Sequence, residues 1–159
     1  MMSSLLSGWF AHPLRVRYQE TDQMGVVFHT NYLNWFEIGR TELIRSAGFD
    51  YKSIEQSGML LPVIDLHCHY ALPARYDDTL LICTRISDFT SVRLAFESEI
   101  RKVDEASFKP AFYELQESLP GERLVTGGTK HVWVNKEWRP MRLDKGLPAL
   151  YDLIRQIIS

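Results

Sequence analysis

The segment Tyr18-Gln-Glu-Thr-Asp-Gln-Met-Gly-Val-Val-Phe-His-Thr-Asn-Tyr32 joins the first predicted strand to the longest predicted helix, and it decides the fold. Before it, residues 14–18 alternate apolar and basic side chains, which is typical of a short strand. After it, apolar side chains recur at helical spacing over residues 32–47, with Gly39 on the same face. The sequence therefore predicts a strand, a polar loop that turns at Gly25, and a long, mostly buried helix.

Both ends of this helix are marked by residues that favour helix termini. Thr30 or Asn31 can accept hydrogen bonds from the first backbone amides. Gly48 stands where a residue with left-handed backbone angles commonly ends a helix. A shorter helix is predicted over residues 50–56, closed by Gly58.

Extended segments dominate the rest of the chain. Turn-forming residues separate the four predicted strands, at 61–76, 79–88, 92–103 and 124–134. This pattern favours an antiparallel meander whose apolar face the long helix can cover. Residues 104–122 contain Pro110 and Pro120, and we expect an extended hairpin excursion there, although residues 111–115 could continue a strand. A loose N-terminal arm is predicted at about 1–12, and an amphipathic helix at about 147–158.

The composition is that of one folded domain. The chain has 159 residues, of which 45% are hydrophobic and 24% are charged, and its formal net charge is -2. This charge argues against a surface that binds nucleic acid or an anionic membrane. Two cysteines, Cys68 and Cys83, are too few for a disulfide framework, and no apolar stretch reaches the length of a membrane helix. We therefore expect a single domain, 1–159, in the cytoplasm.

The central segment resembles the catalytic segment of a known family. Its Asp, Gly-Val-Val and His before Asn-Tyr are similar to those of the 4-hydroxybenzoyl-CoA thioesterase type of hotdog protein, in the bacterial branch with Asp and His. The resemblance continues in further segments: Phe36-Glu37, Arg40-Thr41-Glu42, Pro73-Ala-Arg-Tyr-Asp-Asp and Thr126-Gly-Gly-Thr-Lys-His-Val. It implies an α+β protein with the hotdog fold, an antiparallel sheet wrapped around one long central helix. It also implies acyl-CoA thioesterase activity, in a homodimer or homotetramer with active sites at the dimer interface.

Asp22 is the principal catalytic candidate. A thioester carbonyl needs a group that attacks it or activates water, and hydrogen-bond donors where the oxyanion develops. Asp22 can act as nucleophile, through a mixed anhydride, or as general base for water, and the sequence leaves both routes open. An aspartate between a strand and a helix is in most proteins a turn former or a cap, but the surrounding motif favours catalysis.

Two further residues are candidates for the chemistry. By the resemblance, the backbone N–H near His29 binds the thioester oxygen. The His29 side chain can polarise the carbonyl, orient water or protonate the departing thiolate. Tyr18 lies four residues before Asp22 and matches a tyrosine of the His-containing branch, so we expect it to orient the carboxylate.

Candidate substrate contacts fall into two groups. Gly25 permits a tight turn that brings the backbone close to the substrate. Met24 and Val26 neighbour Asp22 and are expected to touch the acyl group. Arg75 and Lys130 are candidate cationic contacts for the phosphates of coenzyme A.

No metal and no cofactor are expected, since coenzyme A is part of the substrate. His67 and His69 share a strand face with Asp65, but no fourth ligand has a recognisable spacing, so an ordinary strand face is favoured. The segment Gly127-Gly128-Thr129-Lys130 lacks the other glycine and the strand-to-helix setting of a phosphate loop. A bulge or a close backbone approach is the favoured interpretation.

Two other functions compete with hydrolysis. A hotdog enoyl-CoA hydratase or dehydratase also places acid–base residues beside a helix N-terminus, but members of that type share a shorter Asp-to-His spacing than Asp22 to His29. A non-catalytic acyl-CoA-binding module keeps the cleft without turnover, and the retained Asp22 argues against it. The excursion at 104–122 is longer than the compact hairpin expected in the family, and the acyl group stays open.

Overall fold

One long helix and a six-stranded sheet form the framework. The computed structural model describes residues 8–158, which contain the following helices and strands: β1 (Trp9–Arg15), α1 (Asn31–Ser46), α2 (Tyr51–Gln56), β2 (Val63–Tyr70), β3 (Thr79–Phe89), β4 (Arg93–Lys102), β5 (Ala111–Tyr113), β6 (Glu122–Val132), α3 (Leu143–Gly146) and α4 (Pro148–Ile158). Two 3₁₀ turns lie at Tyr18–Glu20 and Glu105–Ser107. The predicted α+β class, with an antiparallel sheet and one long helix, is confirmed.

The strands of the sheet lie in the order β2-β6-β4-β3-β1-β5, and all neighbours are antiparallel. The predicted meander is wrong at β2, because β2 pairs with β6 and not with β3. As a consequence, β2 lies at one edge of the sheet and the chain crosses two strands before it enters β3. The reason is long-range packing, which the spacing of turn residues does not report.

A pair of glycines in β6 explains why β2 fits there. A Cβ on Gly127 would lie 2.5 Å from the carbonyl oxygen of His67 and 2.7 Å from the ring of Phe36. A Cβ on Gly128 would lie 2.8 Å from the ring of His67. The close backbone approach predicted for these glycines is confirmed, since any larger residue would push β2 or α1 away.

Helix α1 covers one face of the sheet. Its buried apolar side chains are Tyr32, Trp35, Phe36, Leu43 and Ile44. Burial of a large apolar side chain is worth about 2 kcal/mol, so this stripe holds the helix in place. Gly39 lets the helix approach β3, because a Cβ there would lie 2.3 Å from Thr84 Oγ1. The opposite face of β3, with Leu81 and Cys83, packs under Trp9.

The ends of the helices follow the predictions in part. The expected side-chain cap at Thr30 or Asn31 is wrong: Thr30 occupies the cap position without a side-chain hydrogen bond, and the Asn31 amide donates to the carbonyl oxygen of Glu20 instead. Gly48 has a φ of 97°, as expected of a residue that ends a helix. Asp50 caps α2 by accepting from the Ser53 N–H at 2.7 Å.

The two termini differ from each other in how well they were predicted. Strand β1 begins at Trp9 and pairs with β3 and β5, so the arm predicted at about 1–12 is too long, and residues 1–7 lie outside the described residues. At the other end, α4 lies where the amphipathic helix is predicted and buries Leu150 and Ile154. Of the helices within residues 8–158, none is long and apolar enough to cross a bilayer.

The excursion at 104–122 packs back on its own chain. Asp104 caps the turn that follows it by accepting from the Ser107 N–H at 3.1 Å. Strand β5 then pairs with β1 at the far edge of the sheet, opposite β2. The excursion therefore extends the sheet and lies at the edge remote from β2.

Candidate active site

The loop between the Tyr18–Glu20 turn and α1 is a tight reversal that presents Asp22. The Asp22 N–H donates to Val26 O at 2.9 Å, and the Gly25 N–H donates to Asp22 O at 3.0 Å. An isolated antiparallel bridge joins Thr21 to Val27. Gly25 has a φ of 78°, which L side chains rarely adopt, so the tight turn predicted at this glycine is confirmed.

The Asp22 carboxylate is oriented by its own loop. Its Oδ1 accepts a hydrogen bond from the Met24 N–H at 2.9 Å, which is the geometry of an Asx turn. Among the described residues, no donor contacts the second carboxylate oxygen, so this oxygen is available to react. Oδ1 thus fixes the side chain through its hydrogen bond, while Oδ2 is left available to a substrate or a water molecule.

Asp22 opens onto a hollow of about 230 Å³, called here the Asp22 hollow. Apolar and aromatic side chains form most of its wall, and its full lining is Asp22, Met24, Val26, Val27, His29, Tyr32, Tyr70, Ala71, Leu72 and Pro73. The structure therefore brings together four residues predicted from the sequence: Asp22, His29, Met24 and Val26. A carboxylate beside an apolar cavity is an arrangement suited to binding an acyl chain.

His29 lies two residues before α1 and lines the same hollow as Asp22. Its ring packs against the rings of Phe28 and Tyr70, with centroids 4.7 Å and 6.1 Å away. Of the described residues, none accepts a hydrogen bond from the His29 N–H, whereas the next amide but one, at Asn31, donates to Phe28 O at 2.9 Å. The free amide lies at the positive end of a 16-residue helix, where negative charge is stabilised.

Tyr32 fixes the floor of the hollow. Its hydroxyl accepts from the Ala74 N–H at 3.0 Å, while the Ala74 carbonyl accepts from the Val27 N–H at 2.9 Å. Burial raises the pKa of Tyr32, so the phenol stays neutral. The ring also packs edge-on against Trp35. These contacts bind the loop, α1 and the segment after β2 into one unit.

The wall formed by residues 70–73 was not predicted as part of the site. Tyr70 is the last residue of β2 and residues 71–73 follow it, so this wall lies at the end of an edge strand. The one signal in the sequence is that the resemblance resumes at Pro73, directly before Ala74, whose backbone the loop contacts.

Four predicted site residues do not line the hollow. Tyr18 belongs to a 3₁₀ turn and not to a strand, its side chain is 76% exposed, and its ring packs against Tyr76. Among the described residues, Tyr18 makes no hydrogen bond to the Asp22 carboxylate, and its role in orienting Asp22 stays a prediction. Gly25 shapes the turn from outside the hollow. Arg75 and Lys130 are exposed, and Lys130 lies on the face of the sheet opposite α1.

A second hollow, of about 250 Å³, lies farther along α1 beside α2. Its polar lining includes Arg40, Tyr51 and His131. The ring nitrogens of His131 contact Thr129 Oγ1 at 2.8 Å and Leu61 O at 3.2 Å. Burial lowers the pKa of His131 to about 4, so the ring is neutral at pH 7. No predicted catalytic residue lines this second hollow.

The edge strand β2 carries an exposed apolar surface that ends at the Asp22 hollow. Its large hydrophobic side chains, together with Leu72, are between 43% and 57% exposed, and they are Val63, Ile64, Leu66, Tyr70 and Leu72. Soluble proteins seldom leave such an edge open, because its unpaired backbone groups are available to another chain. Within residues 8–158, no three His, Cys, Asp or Glu side chains are grouped as a metal site would require, at β2 or elsewhere.

Comparisons with known proteins give one consistent result. A family described as the thioesterase superfamily matches residues 24–109. YneP of Bacillus subtilis strain 168 is 36% identical over 136 residues, which cover 85% of this chain and 87% of YneP. The acyl-CoA thioesterase YbgC of Haemophilus influenzae is 31% identical over 121 residues, which cover 73% of this chain and 89% of YbgC. The solved structure of a DHNA-CoA thioesterase from Staphylococcus aureus has a TM-score of 0.81 and 28% identity, covering 94% of this chain and 90% of that one.

Proposed function

Because this chain belongs to the thioesterase superfamily and has its hotdog fold, we propose that it hydrolyses an acyl-CoA thioester with Asp22 as the reacting carboxylate. The enzyme class, a thioester hydrolase of the acyl-CoA type, follows from its relatives. The residues and the route are our proposal. The observation that carries it is that Asp22, with a partly unbonded carboxylate, and His29, whose backbone N–H has no acceptor among the described residues, line the same apolar hollow.

The reaction starts with the acyl group in the Asp22 hollow. Either Asp22 attacks the thioester carbon, or it removes a proton from a water molecule that attacks it. The carbonyl oxygen becomes an oxyanion, the C–S bond breaks, and the thiolate of coenzyme A departs and takes up a proton. In the first route water then cleaves the mixed anhydride. The products are a carboxylate and free coenzyme A, and neither route calls for a metal or a redox cofactor.

The oxyanion is assigned to the His29 N–H. Two features support this choice: the amide has no acceptor among the described residues, and it precedes a long helix whose dipole favours negative charge. A donor of this kind is worth about 3 to 4 kcal/mol in the barrier. The His29 side chain lines the same hollow, and we assign it to the departing thiolate or to the attacking water.

Substrate contacts are proposed in two parts. Met24 and Val26, on the wall beside Asp22, contact the acyl group. Coenzyme A then lies outside the hollow, and the exposed Arg75 is the first candidate to contact its phosphates; Lys130 is exposed on the other face of the sheet and is the second candidate. The solved structure from Staphylococcus aureus is that of a DHNA-CoA thioesterase, so DHNA-CoA belongs beside aliphatic acyl-CoAs and aryl-CoAs among the substrates to test.

We propose that two copies pair through β2. The exposed side chains Ile64, Leu66 and Tyr70 are apolar and lie on the edge of the sheet beside α1. Antiparallel pairing of two β2 strands would satisfy the open backbone edge and bury these side chains. It would also cover the open side of the Asp22 hollow, since Tyr70 and Leu72 belong to both surfaces. The site would then lie at a homodimer interface.

The test is release of free thiol by the purified protein from a panel of aliphatic acyl-CoAs, aryl-CoAs and an acyl-carrier-protein thioester. The proposal expects turnover of at least one member, with loss of several orders of magnitude in the Asp22→Ala variant. A hydrated product from an enoyl-CoA without thiol release would favour the hydratase. Stable binding of intact acyl-CoA without any thiol would favour the binding module.

A further inference from the structure

We propose that Glu20 is a positioning residue for the Asp22 loop, which rests on the proposed function of Asp22. Glu20 precedes Asp22 by two positions and ends the 3₁₀ turn. It is 7% exposed, so an ionisable side chain is buried next to the site. Burial of a carboxylate is costly unless donors compensate it, and the donors around Glu20 show what it holds together.

The carboxylate of Glu20 joins the turn to the helix. Its Oε1 accepts from the Arg17 backbone N–H at 2.8 Å, and its Oε2 accepts from Trp35 Nε1 at 3.0 Å. The Arg17 side chain is 65% exposed and lies 3.4 Å from Oε1, so it adds a charge from the solvent side. Trp35 is fully buried in α1, and its ring packs on Tyr32, which lines the Asp22 hollow.

The backbone of Glu20 fixes the far side of the same loop. Its carbonyl oxygen accepts from the Phe28 N–H at 2.8 Å and from Asn31 Nδ2 at 2.9 Å. Phe28 and Asn31 flank the segment that begins α1 and carries the free His29 amide. Glu20 thus ties both ends of the loop to the helix, and the distance from the Asp22 carboxylate to the oxyanion donor depends on it.

Only a carboxylate can accept a hydrogen bond on each of its two oxygens, one from the Arg17 backbone N–H and one from the Trp35 indole N–H. Glutamine has one acceptor oxygen, so in a Glu20→Gln variant the amide NH₂ group would face either the Arg17 N–H or the Trp35 indole N–H. One bond of the pair would be lost and a donor would meet a donor. Because the acidic side chain is nearly isosteric with the amide, the fold and the backbone bonds of Glu20 are kept, while the side chain no longer joins the turn and α1 through both oxygens.

The experiment compares the parent with Glu20→Gln, Trp35→Phe and the double variant in steady-state thioester hydrolysis. Glu97→Gln is the matched control, since Glu97 pairs with Arg85 on the face of the sheet opposite α1. We expect kcat of Glu20→Gln to fall on the order of 10- to 100-fold, because small misplacement of a reacting group has effects of this size. KM is expected to stay within about twofold. The double variant should be no slower than the slower single variant, because both changes break one contact.

A purely structural role predicts a different pattern. Loss of activity that disappears after correction for the folded fraction, or additive losses in the double variant, would overturn the proposal. Failure of the proposed function is a separate result, seen as a parent that releases no thiol or an Asp22→Asn variant as fast as the parent. In that event, amide hydrogen exchange still decides on Glu20: faster exchange at residues 21–29 in Glu20→Gln, with β4 unchanged, supports it, and unchanged exchange overturns it.

Discussion

Replacing Gly39 by alanine should destabilise this protein, although alanine is the better helix former. In a helix interior, glycine to alanine is normally worth about 1 kcal/mol of stabilisation. Here the added Cβ would lie 2.3 Å from Thr84 Oγ1 and 2.9 Å from Ile82 Cγ2. Rotation of Thr84 brings only partial relief, because two of its three staggered rotamers direct a heavy atom, Oγ1 or Cγ2, toward the added Cβ, and the contact to Ile82 Cγ2 is unchanged by it.

The magnitude follows from these two opposing contributions. Overpacking of a buried contact costs about 1 to 3 kcal/mol, and at the short distances around Gly39 we expect the upper part of that range. The net loss is then about 1 to 2 kcal/mol, which lowers the Tm of a chain of this size by about 3 to 6 °C. Thermal unfolding followed by circular dichroism or calorimetry measures it directly.

A second variant makes the Gly39 prediction refutable. Thr84 Oγ1 is buried and has no hydrogen-bond partner in the described part of the chain, so Thr84→Ala alone should change stability little. In the Gly39→Ala background the same change removes the 2.3 Å contact and should restore part of the lost Tm. A Gly39→Ala variant that is more stable than the parent, or one that Thr84→Ala does not improve, would refute the reasoning.

Further predictions concern pH, the sheet edge and the turn. Burial lowers the pKa of His131 from 6.5 to about 4, so the unfolded chain takes up a proton on this histidine more readily than the folded protein. The free energy of unfolding should therefore fall by about 3 kcal/mol as the pH drops from 6.5 to 4, which urea unfolding measures. A His131→Gln variant whose free energy of unfolding falls as steeply over this pH range would contradict the prediction. Charging the edge with Ile64→Lys and Leu66→Lys should convert the proposed β2 dimer to monomers and lower activity, and sedimentation that shows the same dimer for parent and variant would argue against β2 as the interface. Gly25→Ala should lower both kcat and Tm, because a φ of 78° strains alanine by about 1 kcal/mol even though no atom lies within 4 Å of the added Cβ; unchanged kcat would show that the turn geometry is not critical.

The helix and the loop were predictable because their signals are local. Helix α1 spans Asn31–Ser46 against a prediction of 32–47, since the apolar stripe and Gly48 act within a few turns of the residues they specify. The turn at Gly25 and the start of the short helix at Asp50 also depend only on residues nearby in the sequence. The same is true of the approach of Asp22 to the start of α1, because only a short loop separates them.

Strand order was not predictable in the same way. The partner of β2 is set by contacts between residues far apart in sequence, such as His67 with Gly128, and turn residues alone favour pairing with the next strand. For that reason the wall of the hollow at Tyr70 to Pro73 was missed. Gly127 and Gly128 in β6 indicate that another part of the chain packs closely against them, but they do not indicate that this part is β2.

Tyr18 and Glu20 show how one turn changes the roles of its residues. An extended strand through Tyr18 would have pointed its side chain toward the loop, and the 3₁₀ turn instead exposes it beside Tyr76. The same turn buries Glu20, whose charge alone suggests a solvated position. The 3₁₀ turn thus exposes Tyr18 and buries Glu20, which is the opposite of what the sequence pattern suggests for these two residues.

The most direct measurement is the single-turnover rate of thioester cleavage by the Asp22→Asn variant, compared with the parent at saturating enzyme. Asparagine keeps the size of the side chain and can still accept the Met24 N–H, so the fold and the loop should persist and Tm should change little. Loss of the carboxylate should lower the rate by about 10³-fold or more, whichever route Asp22 takes. A folded Asp22→Asn variant that cleaves its thioester within about tenfold of the parent would contradict the account.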